Sequence, residues 1–402
     1  MEEWKKVKVS NLGHIVTGKT PKTSDMGNYG GNIPFLTPSD DMSVKYVRST
    51  NKTLTEKGLN EVRNCLLPPN AVCVSCIGSD LGKVVMTSKP TVTNQQINSI
   101  IVDNDCFDSD FIYYSMGILG KELNYISKTS TAVPIVNKST FSSYVILCPT
   151  LETQKRIASI LNRIDDKIEI NRRINDNLQQ QAASLYFSMF VSYDYYANME
   201  FEDSEFGRIP KGWQVLSLDD VTINIRDRVH NNNYRVLSAL NSGILQPSDE
   251  YFTKQVFSKD ISNYIIVAEN DFAYNPARVN IGSLGINDLG YTGCVSPVYV
   301  VFRAENKYQN FMRFFVKSKR FQEEVKTRAS GSVRQAMNYA DFSLIRLVYP
   351  PKSAIDEFND MVEPIWKNIK HLRQENEKLS ELRDSLLPKL MSGEMDVSAV
   401  QF

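Results

Sequence analysis

Eight residues near the N-terminus, Gly13–Thr20, match the phosphate-binding pattern G-x-x-x-x-G-K-[ST]. In a true P-loop a helix begins at the lysine, so that its first N–H groups face the phosphates. The stretch that follows Thr20 contains one proline and three glycines before Asn32, which disfavours a sustained helix. The sequence therefore favours a turn-rich loop that carries a lysine, with nucleotide binding through Lys19 as an alternative function.

Cys73 and Cys76 form a C-x-x-C pair, which is the spacing of half a zinc site or of a redox pair. The pair lies inside the apolar run Ala71–Ile77, which predicts a buried strand. A closed zinc site needs four ligands, and the other cysteines and the 3 histidines do not follow a ligand spacing. We therefore predict no metal site and interpret the 6 cysteines as reduced thiols.

The overall composition is that of a folded protein with no excess of either charge. The chain has 402 residues, of which 46 are Lys or Arg and 46 are Asp or Glu, so its formal net charge is zero. This excludes a uniformly basic binder but leaves room for local basic faces. No apolar run approaches the ~18 residues of a membrane helix, and the first residues lack the apolar stretch of a signal peptide, so we expect a cytoplasmic protein.

An internal repeat with an offset of 201 residues organises the chain. Three residues of the first copy return in the second, namely Asn137 as Asn338, Phe141 as Phe342 and Pro149 as Pro350. A short apolar strand lies between the phenylalanine and the proline in both copies. Each half of the chain is therefore predicted to contain one globular part of mixed helices and strands, followed by one helix of fixed pattern.

The two helices are predicted from about Glu152 to Phe190 and from about Ser353 to Met391. Their apolar residues alternate spacings of four and three, which is the seam of a coiled coil. At ~1.5 Å per residue each helix is about 60 Å long, and two such helices can pair in antiparallel fashion. The predicted seam comprises Ile157, Leu161, Ile164, Ile168, Asn175, Leu178, Leu185, Phe358, Val362, Ile365, Ile369, Asn376, Leu379 and Leu386.

Polar residues interrupt this seam at related places. Asn175 and Asn376 occupy the same seam position in the two copies, and the spacing also puts Asn171 and Arg383 in the seam. A seam asparagine lowers stability but fixes register when it finds a partner. Register fixing and simple exposure to solvent are the two alternatives for these asparagines.

The fold class that follows is α+β, with two tandem α+β domains separated by two long antiparallel coiled-coil helices and related by a pseudo-two-fold internal repeat. The predicted segments are a first domain at 1–150, a central helix at 151–190, an acidic linker at 191–205, a second domain at 206–350, a distal helix at 351–393 and a tail at 394–402.

Basic residues concentrate at matching places of the two globular parts. Between Arg313 and Arg334 there are seven Lys and Arg against two Glu, and the stretch ends in a loop rich in serine. Arginine and lysine accompanied by hydroxyl and amide side chains suit phosphate anchoring and base-edge readout of DNA. The candidate DNA-binding residues are Lys19, Lys22, Lys83, Lys128, Thr129, Ser130, Lys138, Arg278, Arg328, Ser330, Ser332, Arg334 and Gln335.

Three further segments give the chain a family resemblance. They are the junction Cys148–Ile157, the stretch Gly207–Trp213 and the C-terminal Leu386–Met395. With the repeat, these segments resemble the specificity subunit of type I restriction–modification systems, and the likeness extends from near the N-terminus to Val397. In that family Gly207–Trp213 would open the second target-recognition domain.

The resemblance implies a non-catalytic chain that reads double-stranded DNA. It implies two modification (methyltransferase) subunits as partners, which carry S-adenosylmethionine and methylate adenine, and restriction subunits that join them; no cofactor is expected in this chain. Tyr274–Arg278 comes nearest to a methyltransferase motif but has Ala277 where a proline is needed. The implied target is bipartite and asymmetric, one half-site for each domain. A coiled-coil scaffold without DNA binding is the second alternative function.

Overall fold

The computed structural model divides the chain into two compact units, residues 1–173 with 372–402, and residues 174–371. Each unit therefore contains one globular domain and half of each long helix. None of the helices among the described residues is long and apolar enough to cross a membrane. The structure describes residues 4–129, 135–240, 243–251, 257–305, 307–328 and 336–400.

Among its described residues, the first unit contains eleven strands and three helices in addition to its share of the long helices. The strands are β1 (Lys5–Lys8), β2 (Gly13–Thr17), β3 (Tyr29–Leu36), β4 (Tyr46–Val47), β5 (Lys52–Leu54), β6 (Leu66–Leu67), β7 (Val72–Ser75), β8 (Val84–Thr87), β9 (Thr91–Thr93), β10 (Ile97–Val102) and β11 (Val145–Cys148). The helices are α1 (Glu56–Glu61), α2 (Ser109–Thr129) and α3 (Lys138–Ser143).

The long helices and the second unit complete the chain. The first long helix is α4 (Leu151–Phe190). The strands of the second unit are β12 (Phe201–Ser204), β13 (Gly207–Pro210), β14 (Gln214–Ser217), β15 (Thr222–Ile225), β16 (Arg235–Ala239), β17 (Leu245–Pro247), β18 (Ile265–Val267), β19 (Phe272–Tyr274), β20 (Leu284–Ile286), β21 (Gly293–Val295), β22 (Val300–Ala304) and β23 (Arg346–Tyr349). The helices are α5 (Leu218–Val221), α6 (Ser248–Tyr251), α7 (Gln309–Phe315), α8 (Lys319–Arg328), α9 (Tyr339–Ser343) and the second long helix α10 (Lys352–Met391).

Short 3₁₀ helices connect several of these elements. They are Val9–Asn11, Met26–Asn28, Arg63–Cys65, Gly78–Asp80, Asp194–Tyr196 and Val279–Ile281.

The two globular domains have the same sheet topology. One sheet has the order β2-β10-β7-β8 in the first domain, where β4 extends it, and β15-β22-β19-β20 in the second. These shared neighbours are all antiparallel. A second sheet has the order β5-β3-β9-β6 or β17-β16-β21-β18, and its central pair is parallel in both domains. A two-stranded sheet, β1-β11 or β14-β23, closes each domain. The sequence repeat is therefore a repeat of fold.

The repeated asparagine and phenylalanine have the same physical roles in the two copies. Asn137 is the N-cap of α3, and its Oδ1 accepts a hydrogen bond from the backbone N of Thr140 at 2.9 Å. Asn338 caps α9 in the same way, accepting from the N of Asp341 at 3.0 Å. Phe141 and Phe342 are fully buried. A cap and a core anchor at this spacing hold each short helix against its domain.

Both long helices begin and end within one residue of the limits predicted from their seams, Glu152–Phe190 and Ser353–Met391. In the first unit, the N-terminal half of α4 pairs with the C-terminal half of α10. The guanidinium of Arg383 donates to Asp165 Oδ1 at 2.9 Å, and Asn171 Nδ2 donates to Asn376 Oδ1 at 2.9 Å. The partner number falls as the α4 number rises, so this pairing is antiparallel, as predicted.

In the second unit the two helices meet through aromatic rings. Tyr186 and Phe190 of α4 lie 6.3 Å and 5.0 Å from the ring of Phe358 of α10. These rings belong to the same apolar cluster as Phe311 of α7. The helices are therefore part of the core of the globular domain and not an appendage to it.

Burial along the seam is uneven. Among the apolar seam positions, Leu178, Leu185, Ile365, Leu379 and Leu386 are half-buried, and the others are buried. Asn171 and Asn175 are buried and Asn376 is half-buried, so none of these asparagines simply faces solvent.

The phosphate-binding pattern does not form a P-loop. Residues Gly13–Thr17 are strand β2, paired with β10, and the next helical element is the single 3₁₀ turn Met26–Asn28. No helix begins at Lys19, whose backbone N donates to Thr93 O at 2.9 Å. The C-x-x-C pair lies where the apolar run predicted it, with Cys73 in the buried strand β7 and Cys76 just beyond it.

The acidic stretch at 191–205 has structure of its own. It contains the 3₁₀ turn Asp194–Tyr196 and strand β12, which pairs with β13 in a hairpin. Glu200 and Lys211 close the open end of this hairpin with an ion pair at 2.6 Å. The proposed division into recognition domains, helices, linker and tail remains a prediction from the sequence, because the compact units each include parts of both helices.

Candidate nucleic-acid interface

One edge of the larger sheet in the first domain collects basic and amide side chains. At this edge β2 and β7 end, while β10 and β8 begin, as the register Asn98 opposite Thr17 and Ile97 opposite Ser75 shows. Lys19 follows β2, and Lys83 precedes β8. Three strand spacings separate these two positions, which is about 15 Å at ~4.8 Å per strand. The edge is therefore wide enough to span several phosphates of a duplex.

Between the two lysines, the connection from β9 to β10 presents the amides Asn94, Gln95 and Gln96. Gln95 is exposed, and its Oε1 accepts a hydrogen bond from Thr20 Oγ1 at 2.6 Å. Asn94 Nδ2 donates to Gln96 Oε1 at 2.9 Å, while the backbone N of Gln96 donates back to Asn94 Oδ1 at 3.1 Å. These bonds hold the amides in place. The Gln95 amide N–H groups can then donate to acceptors on base edges.

The segment before α3 joins the same edge. Asn98 Nδ2 donates to Val136 O at 3.3 Å, and Val136 N donates to Cys76 O at 2.9 Å. Burial raises the pKa of the Cys65 thiol, and the positive charges of Lys19 and Lys138 act against that rise. Lys19 lies two residues beyond Thr17, whose carbonyl accepts a hydrogen bond from Cys65 Sγ at 3.5 Å, and Lys138 lies two residues beyond Val136. Two lysines that are 119 residues apart in sequence therefore come to the same edge.

The other candidates of the first half differ in their surroundings. Lys22 is exposed, and its backbone N donates to Glu61 Oε2 at 2.9 Å. Lys83 forms an ion pair with Asp80 at 2.6 Å, so a phosphate would have to compete with that carboxylate. The side chains of Lys128 and Thr129, and all of Ser130, lie outside the described residues.

The equivalent edge of the second domain is also cationic. Strand β15 ends at Ile225, opposite Val301 near the start of β22, and is followed by the exposed Arg226 and Arg228. Arg228 Nη1 donates to Asn263 O at 2.6 Å. The connection before β22 carries Tyr299 in place of the three amides.

The sequence prediction did not include Arg226 or Arg228. An alignment of strand β2 with strand β15 could have identified these arginines from the sequence, because Arg226 follows β15 much as Lys19 follows β2.

Arg278 lies on the connection between β19 and β20 and is exposed. Two residues earlier, Pro276 O accepts from Met337 N at 3.1 Å, which repeats the Cys76 to Val136 bond of the first domain. Arg328 ends α8, where its Nε pairs with Glu324 at 3.1 Å and its Nη2 donates to Leu344 O at 3.4 Å. Ser330, Ser332, Arg334 and Gln335 lie outside the described residues.

The chemistry that these two edges support is binding. Lys and Arg anchor phosphates, and amide or guanidinium groups read base edges. Among the described residues, no group of three or more His, Cys, Asp or Glu could hold a metal ion. The fold is thus a pair of equivalent domains, each with a polar, cationic sheet edge of different composition.

Comparison with known proteins agrees with this description. Residues 1–180 match the family described as Type I restriction modification DNA specificity domain. The chain is 26% identical over 420 aligned positions to the Type I restriction enzyme MjaIX specificity subunit of Methanocaldococcus jannaschii, covering 98% of this chain and 94% of that protein. It is 36% identical over 180 positions to the HindI specificity subunit of Haemophilus influenzae, covering 43% of this chain and 39% of that protein.

A solved structure has the same fold. The type I restriction–modification system S subunit from M. genitalium superposes with a TM-score of 0.53 at 14% identity, covering 97% of this chain and 96% of that one. The repeated domains and paired helices of this chain are thus the fold of that S subunit. The chain is therefore similar over nearly its whole length to type I restriction enzyme specificity subunits, and residues 1–180 match their DNA specificity domain.

Proposed function

We propose that each globular domain reads one half of a bipartite DNA target through its cationic sheet edge. The observation that carries the proposal is the repetition of this edge, with Lys19 and Lys138 in the first domain and Arg226 and Arg278 in the second. Two domains that recognise different DNA sequences need the same binding face on the same fold, with different residues on that face. The charges supply phosphate anchoring and the intervening side chains supply selectivity.

The two half-sites differ in this proposal, so the target is asymmetric. Amides Asn94–Gln96 occupy the connection before β10, whereas the matching connection of the second domain carries Val298 and Tyr299. Amide groups favour hydrogen bonds to base edges, while exposed apolar and aromatic groups favour contact with methyl groups or sugars.

The paired helices set the length of unread DNA between the half-sites. Each has 40 residues, which corresponds to about 60 Å of helix. A rigid spacer gives bipartite recognition its fixed half-site separation, as dimer geometry does for palindromic sites.

The chain supplies recognition to a larger complex. We assign the transfer of a methyl group from S-adenosylmethionine to adenine to two modification subunits, and translocation and cleavage to restriction subunits. The complex works on DNA in the cytoplasm. The chain itself holds no cofactor in this proposal and acts by placing its partners on the target.

Mapping of methylated adenines in cells that carry this chain and its modification subunit tests the proposal. A bipartite, asymmetric word with a fixed gap is the expected result. A single undivided word or a palindrome would contradict the two-reader arrangement.

Simple binding assays distinguish the proposed DNA recognition from the two alternative functions, a scaffold and a nucleotide-binding protein. A scaffold without DNA binding gives no salt-sensitive, sequence-specific gel shift. A nucleotide-binding protein binds ATP and loses that binding in Lys19→Ala. The β2 strand at Gly13–Thr17 and the missing helix after Lys19 argue against the nucleotide function.

A further inference from the structure

The two-stranded sheet β1-β11 of the first domain exposes an apolar and basic face. Lys8 lies opposite Val145 and Lys6 opposite Leu147, and residues directly opposite in an antiparallel pair point to the same side. Val145 and Leu147 are 48% and 42% exposed, whereas the intervening Ile146 is buried. The outward-facing residues of a strand are normally polar, so the exposure of Val145 and Leu147 departs from the usual pattern.

A groove adjoins this face. It has a volume of about 210 Å³ and lies between β11, the middle of α2 and the end of α10. Val145, Leu147, Ile118, Leu119 and Met391 supply its apolar lining. Lys6 and Lys8 flank it and are exposed, and neither forms an ion pair with a residue that the structure describes. Glu122 also lines the groove, which is thus a largely apolar channel with one carboxylate in its lining and two exposed lysines at its flank.

The second domain has the equivalent groove, and there a segment of the same chain lies along it. This groove has a volume of about 410 Å³ and is lined by Val348 of β23 and Phe190 of α4, the repeat equivalents of Leu147 and Met391 at the offset of 201. Phe206, from the turn between β12 and β13, forms one of its walls. The guanidinium of Arg320 lies 3.3 Å from the centre of the Phe206 ring.

An ion pair holds this segment beside the strand. Arg346, the repeat equivalent of Val145, contacts Glu205 at 2.7 Å. The segment Glu200–Phe206 contains four acidic residues and two phenylalanines. An acidic, aromatic segment is therefore what packs beside the strand and forms a wall of this groove in the second domain.

We propose that the groove of the first domain is a docking site for an acidic segment of a partner protein that carries an aromatic side chain. The aromatic side chain would pack on Val145 and Leu147 while the acidic residues face Lys6 and Lys8. Burial of exposed valine and leucine provides the affinity, and the lysine pair provides the selectivity for acidic flanks. The occupant is a separate protein and not a second copy of this chain, because Glu200–Phe206 is already engaged within its own domain.

The test uses the full chain and a fluorescein-labelled synthetic peptide with the sequence of residues 199–207, followed by fluorescence anisotropy. We expect saturable binding that weakens with salt. Leu147→Glu should weaken it at least about tenfold, because the substitution removes apolar contact and repels the acidic probe. The double variant Lys6→Glu, Lys8→Glu should weaken it and abolish its salt dependence. A peptide in which both phenylalanines are alanine should not bind.

Met26→Glu is the matched control, since Met26 is an exposed apolar residue in another part of the domain. It should bind the peptide like the unmodified chain. Equal binding by Leu147→Glu and by the unmodified chain would overturn the proposal, as would the absence of binding to the unmodified chain. DNA affinity, measured on the same samples, is expected to be unchanged by Leu147→Glu and reports separately on the proposed DNA-reading function.

Discussion

Asn171 of α4 donates a hydrogen bond through Nδ2 to Oδ1 of Asn376 of α10, with 2.9 Å between the two atoms. Asn376 in turn donates through its own Nδ2 to the backbone O of Ile168 at 3.2 Å. The two amides therefore bond across the helix pair in one register only, because a shift by one helical turn would separate both donors from their acceptors. Asn171 Oδ1 is buried and has no hydrogen-bond partner in the part of the chain that the structure describes, which is a stability cost of this arrangement.

Asn171→Ala is expected to reduce the free energy of unfolding by about 1 kcal/mol, because Asn376 Oδ1 loses its donor. Urea denaturation followed by circular dichroism measures the change. The double variant Asn171→Leu, Asn376→Leu should be at least as stable as the unmodified chain, since apolar residues suit a seam. Asn177→Ala, at an exposed position of the same helix, is the control and should change stability little.

Arg383→Met is expected to destabilise the first unit by about 2 kcal/mol, because it leaves the carboxylate of Asp165 without its cation. Asp165 is largely buried, and besides Arg383 it accepts a hydrogen bond from the hydroxyl of Tyr114 at 2.7 Å. Arg173→Met removes an exposed ion pair with Glu169 and should cost less than about 1 kcal/mol. Thermal unfolding of both variants tests the difference; equal losses would contradict the buried role of Arg383.

Cys106 should be the only cysteine of the folded chain that reacts rapidly with a thiol reagent at pH 8. It is exposed, while the other five are buried. Burial raises the pKa of Cys73 to about 12, which leaves almost no thiolate to react. Mass spectrometry after brief labelling should find one modified thiol, and none in Cys106→Ser.

The same burial gives a pH dependence of stability. A thiol whose pKa is raised on folding stabilises the folded state below its unfolded pKa, and this contribution is lost as the pH rises towards the folded value. Cys73 and Cys148 rise to about 12 and Cys294 to about 11, from a reference value of 9.0. Stability should therefore decline from about pH 9 upward, and the decline should be smaller in Cys73→Ala than in the unmodified chain.

Lys19→Ala and Lys138→Ala should weaken binding to the first half-site and reduce the slope of log affinity against log salt by about 1 each. Lys89→Ala is the matched control, because Lys89 is exposed and precedes β9, whereas the amide connection follows that strand. Fluorescence titration of duplex DNA at several salt concentrations gives the slopes. If Lys89→Ala weakened DNA binding as much as Lys19→Ala, the binding would reflect general charge attraction and not contact at the proposed sheet edge.

Arg226→Ala should weaken recognition of the second half-site while leaving the first unchanged. The reason is that Arg226 lies at the cationic edge of the second domain and Lys19 at that of the first. Competition titrations with duplexes altered in one half-site measure the two contributions. A loss on both half-sites would contradict separate reading by the two domains.

The repeat, the limits of the long helices and the buried strand around Cys73 could be predicted from the sequence. These features depend on local periodicity and on residues repeated at a constant offset, which a linear chain displays directly. The helix caps formed by Asn137 and Asn338 are also local features, because each side chain bonds to a backbone N–H only three residues further along the chain. The antiparallel pairing followed from the length and seam of the two helices.

Which residues form the candidate DNA-binding edges depends on the order of strands in the sheets, which could not be predicted from the sequence. Lys19 and Lys138 share an edge because β2, which Lys19 follows, pairs with β10, and Asn98 of β10 bonds to Val136, two residues before Lys138; no local pattern specifies those contacts. For the same reason Arg226 and Arg228 were missed, while Arg328 proved to be engaged with Glu324. The sequence by itself determined that two similar domains are built and that two long helices follow them. Only the tertiary structure decided which side chains share an edge, because contacts between distant residues are set by sheet order and burial and not by spacing along the chain.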